Sequence, residues 1–545
     1  MAAMRVKGQD DSHSPSTKTS VSLSDILNKV KFGPFQFLLS LGLSMALWPY
    51  SMEFILLSVL QPLSKCLWTA SNTITDRTEM IVWLGMAITA PIWGLLSDRM
   101  GRRRVIIVAV LGHIISTICL VFSPSSEVFN ITMFLRGCFL SCLLQCYVLL
   151  SEYCPSNYRG GFIALNHMLC LCGGLFVMMC SQEFMKMPQD WKSLIIFTIM
   201  PSILFTMAFY WIPESPFYYC LVGKTTETKK CFITLAYLNG KGGTLDAVDI
   251  ANPGSAHFTP SLSWSSMWRV RDLILGSGKI SMPIVVSSSW FLAGMVNSGD
   301  AITSLQTLNS LEACHNKLQN ISQEGMSFEL NISISSQCFS NSEYQCSVLD
   351  TVAAIPIVLF IACSIDTIGR KGAYLTVTGL LAMSLLPLVI RHCEITRTWR
   401  YILLFCAKGA SVGWYTVNII YTLENYPTIV RSTSLGVANS IGCLGAMTTI
   451  LIKTYLITYS ITLGMFAYYS VGVIGFIISI YLPNETKGTN LSRFLDLSPP
   501  VEPVSIQYIP TSCAEKNKHQ DERDILLKAG VDLEKPYGGI HPGSS

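Results

Sequence analysis

Three ionisable residues, Glu53, Arg136 and Lys408, stand inside long apolar runs of this chain. A charge at mid-bilayer costs at least about 2.5 kcal/mol, so it faces protein or water and marks a route for ions or solutes. Glu53 is the candidate for binding a proton or cation. Arg136 and Lys408 are placed to attract an anionic group or to tune a nearby acid. Asn166, Asn297 and Asn418 also lie within apolar runs, with Asn439. They can take a solute's polar groups or tie helices together. His113 and His167 read as packing histidines with satisfied rings. No metal-ligand cluster, nucleophile motif or phosphate loop stands in a polar segment. Gly240-Lys241-Gly242-Gly243 lacks the order of a nucleotide loop and a preceding strand. The pattern argues against an enzyme and implies no cofactor.

A second set of charges sits where apolar runs end. Asp98, Gly101 and Arg102 close one run, and Asp366, Gly369 and Arg370 close another. Arg136 precedes Glu152, Pro155 and Arg159 by 16, 19 and 23 positions, and Lys408 precedes Glu424, Pro427 and Arg431 by the same intervals. Pro213-Glu214-Ser215-Pro216 is answered by Pro483-Asn484-Glu485-Thr486. Every match lies about 270 positions apart, which is the signature of an internal duplication. The chemistry these residues offer is a latch. Asp98, Arg102 and Glu152 would pair in one state and part in another, with Arg159 beside them. Asp366, Arg370, Glu424 and Arg431 would form the matching latch in the second copy.

The elements that position these groups must lie in lipid. Of the 545 residues, 50% are hydrophobic and 13% charged, against roughly 25% charged in soluble domains. A span needs about 20 apolar residues and must be helical, because lipid leaves no other partner for the backbone. Twelve spans are expected near 38–60, 79–97, 105–122, 129–150, 161–182, 193–212, 281–301, 349–365, 373–391, 400–421, 434–456 and 461–482. Pro49 is expected to interrupt the first, and the seventh is the weakest. The chain divides into a disordered N-terminus (1–37), a six-helix half (38–212), a linker (213–280), a second half (281–482) and a tail (483–545). The net charge of +4 gives no nucleic-acid footprint. Most of the 19 Cys lie in apolar runs and act as small hydrophobes.

Lys and Arg crowd alternate loops, which places both termini and the linker in the cytoplasm. The loop 302–348 then faces outside or a vesicle lumen. Its Asn320 and Asn331 head glycosylation triplets, and an oxidising lumen would pair two of Cys314, Cys338 and Cys346. The partners expected are the bilayer, a small organic solute and a co-transported ion or proton, with the chain a monomer.

These residues resemble a known family. Gly94 to Arg103, Glu152-x-x-Pro155-x-x-x-Arg159, Pro213 to Pro216 and Glu485 to Gly488 are similar to the sugar-porter and organic-ion branch of the major facilitator superfamily. Phe32 to Gln36, Met52-Glu53, Cys66-x-Trp68, Arg271-Asp272-Leu273 and Tyr421 to Thr428 resemble the synaptic-vesicle-two-related proteins. The similarity covers residues 25–490. It implies an all-α membrane protein with the major facilitator fold. It also implies secondary transport of a small organic, charged solute by alternating access, in the plasma membrane or a secretory or synaptic-type vesicle. The alternative is a vesicle receptor or trafficking protein of the same fold that carries no flux. Three positions depart from the family. Tyr50 stands where relatives carry an acid, Lys408 where they carry Arg, and Phe139 to Leu144 where they carry glycines.

Overall fold

The computed structural model describes residues 23–68, 72–184, 191–208, 212–241, 281–298, 341–391, 394–457, 459–483 and 485–489. Asn320, Asn331, Cys314 and Cys338, most of the loop 302–348 and the tail beyond 489 lie outside the described residues, as does the Cys346 side chain.

The described residues form helices joined by turns and short irregular segments, with no strand among them. The first half comprises α2 (Pro34–Trp68), α3 (Asn72–Met100), α4 (Arg102–Val121), α5 (Ser126–Leu140) continued by α6 (Gln145–Ser151), α7 (Arg159–Phe184) and α8 (Trp191–Ala208). The second comprises α11 (Ser281–Asn297), α12 (Asn341–Ile368), α13 (Arg370–Arg391), α14 (Arg397–Asn425), α15 (Arg431–Leu451) and α16 (Ile461–Ile480). Among the described residues, ten helices are long and apolar enough to cross a membrane, and two shorter apolar helices supply the sixth and seventh spans. This is a multi-pass membrane protein with twelve helices in two halves.

Three expectations are corrected. Pro49 does not interrupt the first span, because α2 runs unbroken across it. The N-terminus is not wholly disordered, since Leu23–Val30 forms α1. Its Leu23, Ile26, Leu27 and Val30 recur at helical spacing and are all buried. The loop before the eighth span is shorter than expected, because α12 already starts at Asn341. The fourth span is present as expected, over Ser126–Ser151, but changes pitch within it. A 3-10 turn over Ser141–Leu144 separates α5 from α6, where the expected glycines are absent. Such a stretch tightens the helix and re-aims the faces on either side. Two short linker helices follow the first half, α9 (Pro216–Leu221) and α10 (Thr225–Leu238), which pack on each other, with α10 also against α2.

Lipid supplies no hydrophobic drive between helices, so close packing holds the bundle. Glycines permit it at a few crossings. A Cβ on Gly436 would meet the Ala90 carbonyl across the two halves, and one on Gly294 would meet the backbone of Gly442. We expect Gly294→Val to separate α11 from α15. Overpacking costs typically about 1–3 kcal/mol, so the melting temperature of the purified protein should fall by several degrees. An unchanged melting curve would show that this contact is not what fixes the crossing.

Candidate functional site

At the end of the bundle carrying the basic motifs, each half seizes a helix start of the other. Asp98, near the end of α3, accepts hydrogen bonds from the Ser432 and Thr433 amides at 3.3 and 2.8 Å and from the Thr433 hydroxyl at 2.8 Å. Asp366, near the end of α12, accepts from the Gly161 amide at 2.8 Å. A carboxylate satisfies the free amides of a helix N-terminus and suits its positive dipole end. The duplication thus places equivalent acids on equivalent helix starts, α15 and α7.

The arginines complete these contacts. Arg102 Nη2 reaches Asp98 at 3.1 Å and Glu152 at 3.3 Å. It also donates to the Thr428 carbonyl of the other half at 2.9 Å. Arg370 grips Glu424 with two hydrogen bonds, at 2.7 and 2.6 Å, and lies 3.1 Å from Asp366. One expectation needs correction. Arg431 does not join Glu424 in the second copy. It crosses to Glu152 of the first half at 2.9 Å, and its Nε donates to the Leu423 carbonyl. Glu152 therefore lies between Arg102 and Arg431. Arg159 donates to the Thr489 and Cys154 carbonyls.

Gly101 and Gly369 explain how each motif turns. Their φ values are +98° and +87°, a region that favours glycine. A Cβ on either would press on a carboxylate, Glu214 or Glu485 respectively. Glu214 accepts from the amides of Arg102 and Arg103, and Glu485 from those of Arg370 and Lys371. Each acid thus holds the first turn of the helix after the glycine. Burial pushes the Glu214 carboxyl above its ordinary range, while the Ser215, Arg103 and Arg102 amides pull it back. Sequence reasoning used these two glutamates as landmarks and gave them no task. Their place in the repeat, beside a glycine-basic motif, was the available signal.

Within the membrane, Glu53 and Arg136 form a fully buried ion pair between α2 and α5. The two residues singled out separately are therefore partners. Lys408, at the position equivalent to Arg136, instead donates to the Asn297 carbonyl at the end of α11, at 3.3 Å. A cation there suits the negative end of the helix dipole. Asn166 donates to the Ser40 carbonyl and hydroxyl, tying α7 to α2. Asn418 accepts from Ser289 and Tyr374 and donates to the Ser289 carbonyl, binding α14 to α11 and α13. Asn418 is thus occupied within its own half, whereas Asn166 keeps its Oδ1 buried without a partner.

The groups that meet between the halves were mostly missed. The Tyr50 and Tyr415 hydroxyls lie 2.7 Å apart, one from each half. Tyr415 donates onward to Asn439 Oδ1 at 3.2 Å. His167 of α7 and Thr416 of α14 pair at 3.1 Å. The rings of Tyr147 and His167, and of Trp290 and Tyr415, contact one another around this seam. Lys408, Tyr415 and Thr422 recur every seventh residue, so they share one face of α14. No charge marks this layer, which is why charge-led reading passed over it. Among the described residues, no group of His, Cys, Asp and Glu is arranged to hold a metal ion.

Comparison with known proteins agrees with this architecture. A family model described as "Sugar (and other) transporter" matches residues 36–297. The synaptic vesicle 2-related protein of Bos taurus is 25% identical over 484 residues, covering 88% of this chain and 83% of the relative. That of Xenopus laevis is 24% identical over 477 residues, with the same coverage of each chain, 88% and 83%. Among solved structures, the proton:xylose symporter XylE bound to 6-bromo-6-deoxy-D-glucose aligns with a TM-score of 0.64 at 16% identity. That match covers 85% of this chain and 99% of XylE. The human organic anion transporter MFSD10 aligns with a TM-score of 0.53 at 14% identity, covering 84% and 100%. At such identities these structures speak for the fold. With its duplicated halves and mirrored basic motifs, the chain has the major facilitator fold and is similar in sequence to these transporters and synaptic vesicle 2-related proteins.

Proposed function

We propose that the protein is a secondary transporter that moves a small organic solute by alternating access, with the seam at Tyr50, His167, Trp290 and Tyr415 as the solute's compartment. The observation that carries this reading is the mirrored pair of acid-to-helix contacts, Asp98 on α15 and Asp366 on α7. They join the halves at one end by polar bonds that can part without exposing an apolar core. Alternating access needs such a reversible joint around a site shared by two repeats. The basic motifs put that end, both termini and the linker in the cytoplasm. The compartment offers aromatic faces and neutral hydrogen-bonding groups. Arg136 is paired with Glu53 and Lys408 donates to the Asn297 carbonyl, so neutral groups dominate the compartment. Glu53 is the proton site, because protonation would release Arg136. The names of relatives favour a vesicle membrane.

Purified protein in liposomes should show saturable counterflow of a solute found by screening metabolite uptake in cells with and without the chain. Tyr415→Phe and Glu53→Gln should each slow it at least about tenfold, equivalent to about 1.4 kcal/mol. Saturable binding with no counterflow would instead identify a transporter-like receptor.

The joint itself makes a separate prediction. Glu152→Gln leaves Arg102 and Arg431 buried without their shared anion. Losing one partner of a buried pair costs about 3–5 kcal/mol, so the closed end should open. Spin labels introduced as unnatural amino acids at exposed Tyr158 and Ile368, one on each half, should move apart. Lys230→Ala removes an exposed pair with Glu227 and should leave the distance unchanged. An unaltered distance in Glu152→Gln would refute the latch.

A further inference from the structure

Beside the Glu53–Arg136 pair, polar atoms are buried with no partner. Glu53 Oε1, Arg136 Nε and Nη1, and both ring nitrogens of His113 make no hydrogen bond. These three side chains come from three different spans, α2, α5 and α4, and each is at most 2% exposed. An unsatisfied buried polar group costs about 1–3 kcal/mol. A histidine kept for packing satisfies at least one ring nitrogen, whereas His113 satisfies neither.

The helix crossing brings His113 to this pair. Its neighbour Gly112 has no Cβ, and the Phe139 ring fills that space. Phe139 lies one turn from Arg136 on α5. Among the described residues, the titratable groups on elements packed against α4 are Glu127, Arg136 and Cys138 on α5, Lys192 on α8, Glu79, Asp98 and Arg99 on α3, Tyr147 and Cys146 on α6, and Cys142 in the 3-10 turn. Of these, Arg136 acts electrostatically on the His113 ring, and Glu53 stands on Arg136. Glu127 and Lys192 sit at the starts of their helices, away from this level.

We propose that His113 is the second proton acceptor of this pocket, exchanging a proton with Glu53 through water held by the unpartnered atoms. Protonating Glu53 breaks its ion pair with Arg136. The proton then passes from the carboxyl through water to a ring nitrogen of His113. The carboxylate returns to Arg136, and an imidazolium forms beside that same guanidinium. Like-charge repulsion drives the proton onward. One proton moves, and no bond to carbon changes. This inference rests on the reading of Glu53 as a proton site.

The test uses the full-length protein in lipid nanodiscs, with the proton itself as probe. Infrared difference spectra are recorded on stepping from about pH 8 to about pH 5, a range that spans imidazole titration. Glu53→Gln identifies the Glu53 carboxyl band by its loss. His113→Gln should keep that band and shift its midpoint by at least about 0.5 pH unit, because coupled sites titrate together. The imidazole band lost in His113→Gln should be shifted in Glu53→Gln by a comparable amount, as linkage requires. His113→Asn serves as a second polar variant should the first not fold. A Glu53 midpoint unchanged in both His113 variants overturns the proposal and leaves Glu53 as a lone proton site. Absence of any carboxyl band sensitive to Glu53→Gln overturns both readings.

Discussion

A charge buried in this bundle needs a partner fixed in place, and that requirement organises the structure. Arg102, Arg136, Arg370 and Arg431 are all buried, and each meets a carboxylate. The cost of desolvating a guanidinium is recovered only with good geometry and further hydrogen bonds. Helix ends supply these. The Thr428 carbonyl accepts from Arg102 Nη2 and the Leu423 carbonyl from Arg431 Nε, while the amides opening α7 and α15 take the acids. Charges and helix termini are thus matched as one network. Moving one half relative to the other breaks pairs collectively, which favours a few discrete states over a continuum.

The duplication did not leave the halves identical, and their differences are physically informative. Glu424 holds Arg370 with both oxygens and also accepts from Thr486, all within the second half. Its counterpart Glu152 is shared between Arg102 of its own half and Arg431 of the other. One joint is therefore largely internal and the other spans the seam. The spanning joint carries the greater share of cross-half ion pairing. The same divergence recurs in the membrane, where Arg136 pairs with an acid and Lys408 with a helix end. An ammonium is a point charge suited to carbonyls, whereas a guanidinium has a fork suited to carboxylates.

Much of this was legible in the sequence, for a definite reason. Span number and duplication follow from lipid's demand for helices and from the exact recurrence of intervals at Arg136 and Lys408. The residues of the basic-end network were legible because acids, glycines and bases repeated together. The pairing of Arg431 was not, because spacing along a chain cannot say which half a long side chain reaches toward. The helix at Leu23–Val30 was missed because it is short and flanked by Ser and Lys, yet tertiary contacts hold it: Asn28 accepts from the Ser156 amide and hydroxyl. Pro49 misled because a proline's lost bond is tolerable in a span whose neighbours restore it. The Tyr50–Tyr415 contact left no one-dimensional trace, since tyrosine in an apolar run looks like packing.

The family resemblance implies an acid at position 50, and the tyrosine that stands there has a structural consequence. A carboxylate at that position would need a cation or a proton, and Arg136 is already committed to Glu53. Tyr50 instead spends its hydroxyl on Tyr415, so the seam between the halves is closed by a neutral hydrogen bond. Such a bond nets about 0.5–1.5 kcal/mol, far less than the 3–5 kcal/mol lost on breaking a buried ion pair from one side. The middle of the bundle is thus the soft joint and the basic end the firm one. On the proposed function, a solute that offers its own hydrogen-bonding group would replace the tyrosine contact at little net cost, while the buried ion pairs stay in the basic-end network and at Glu53.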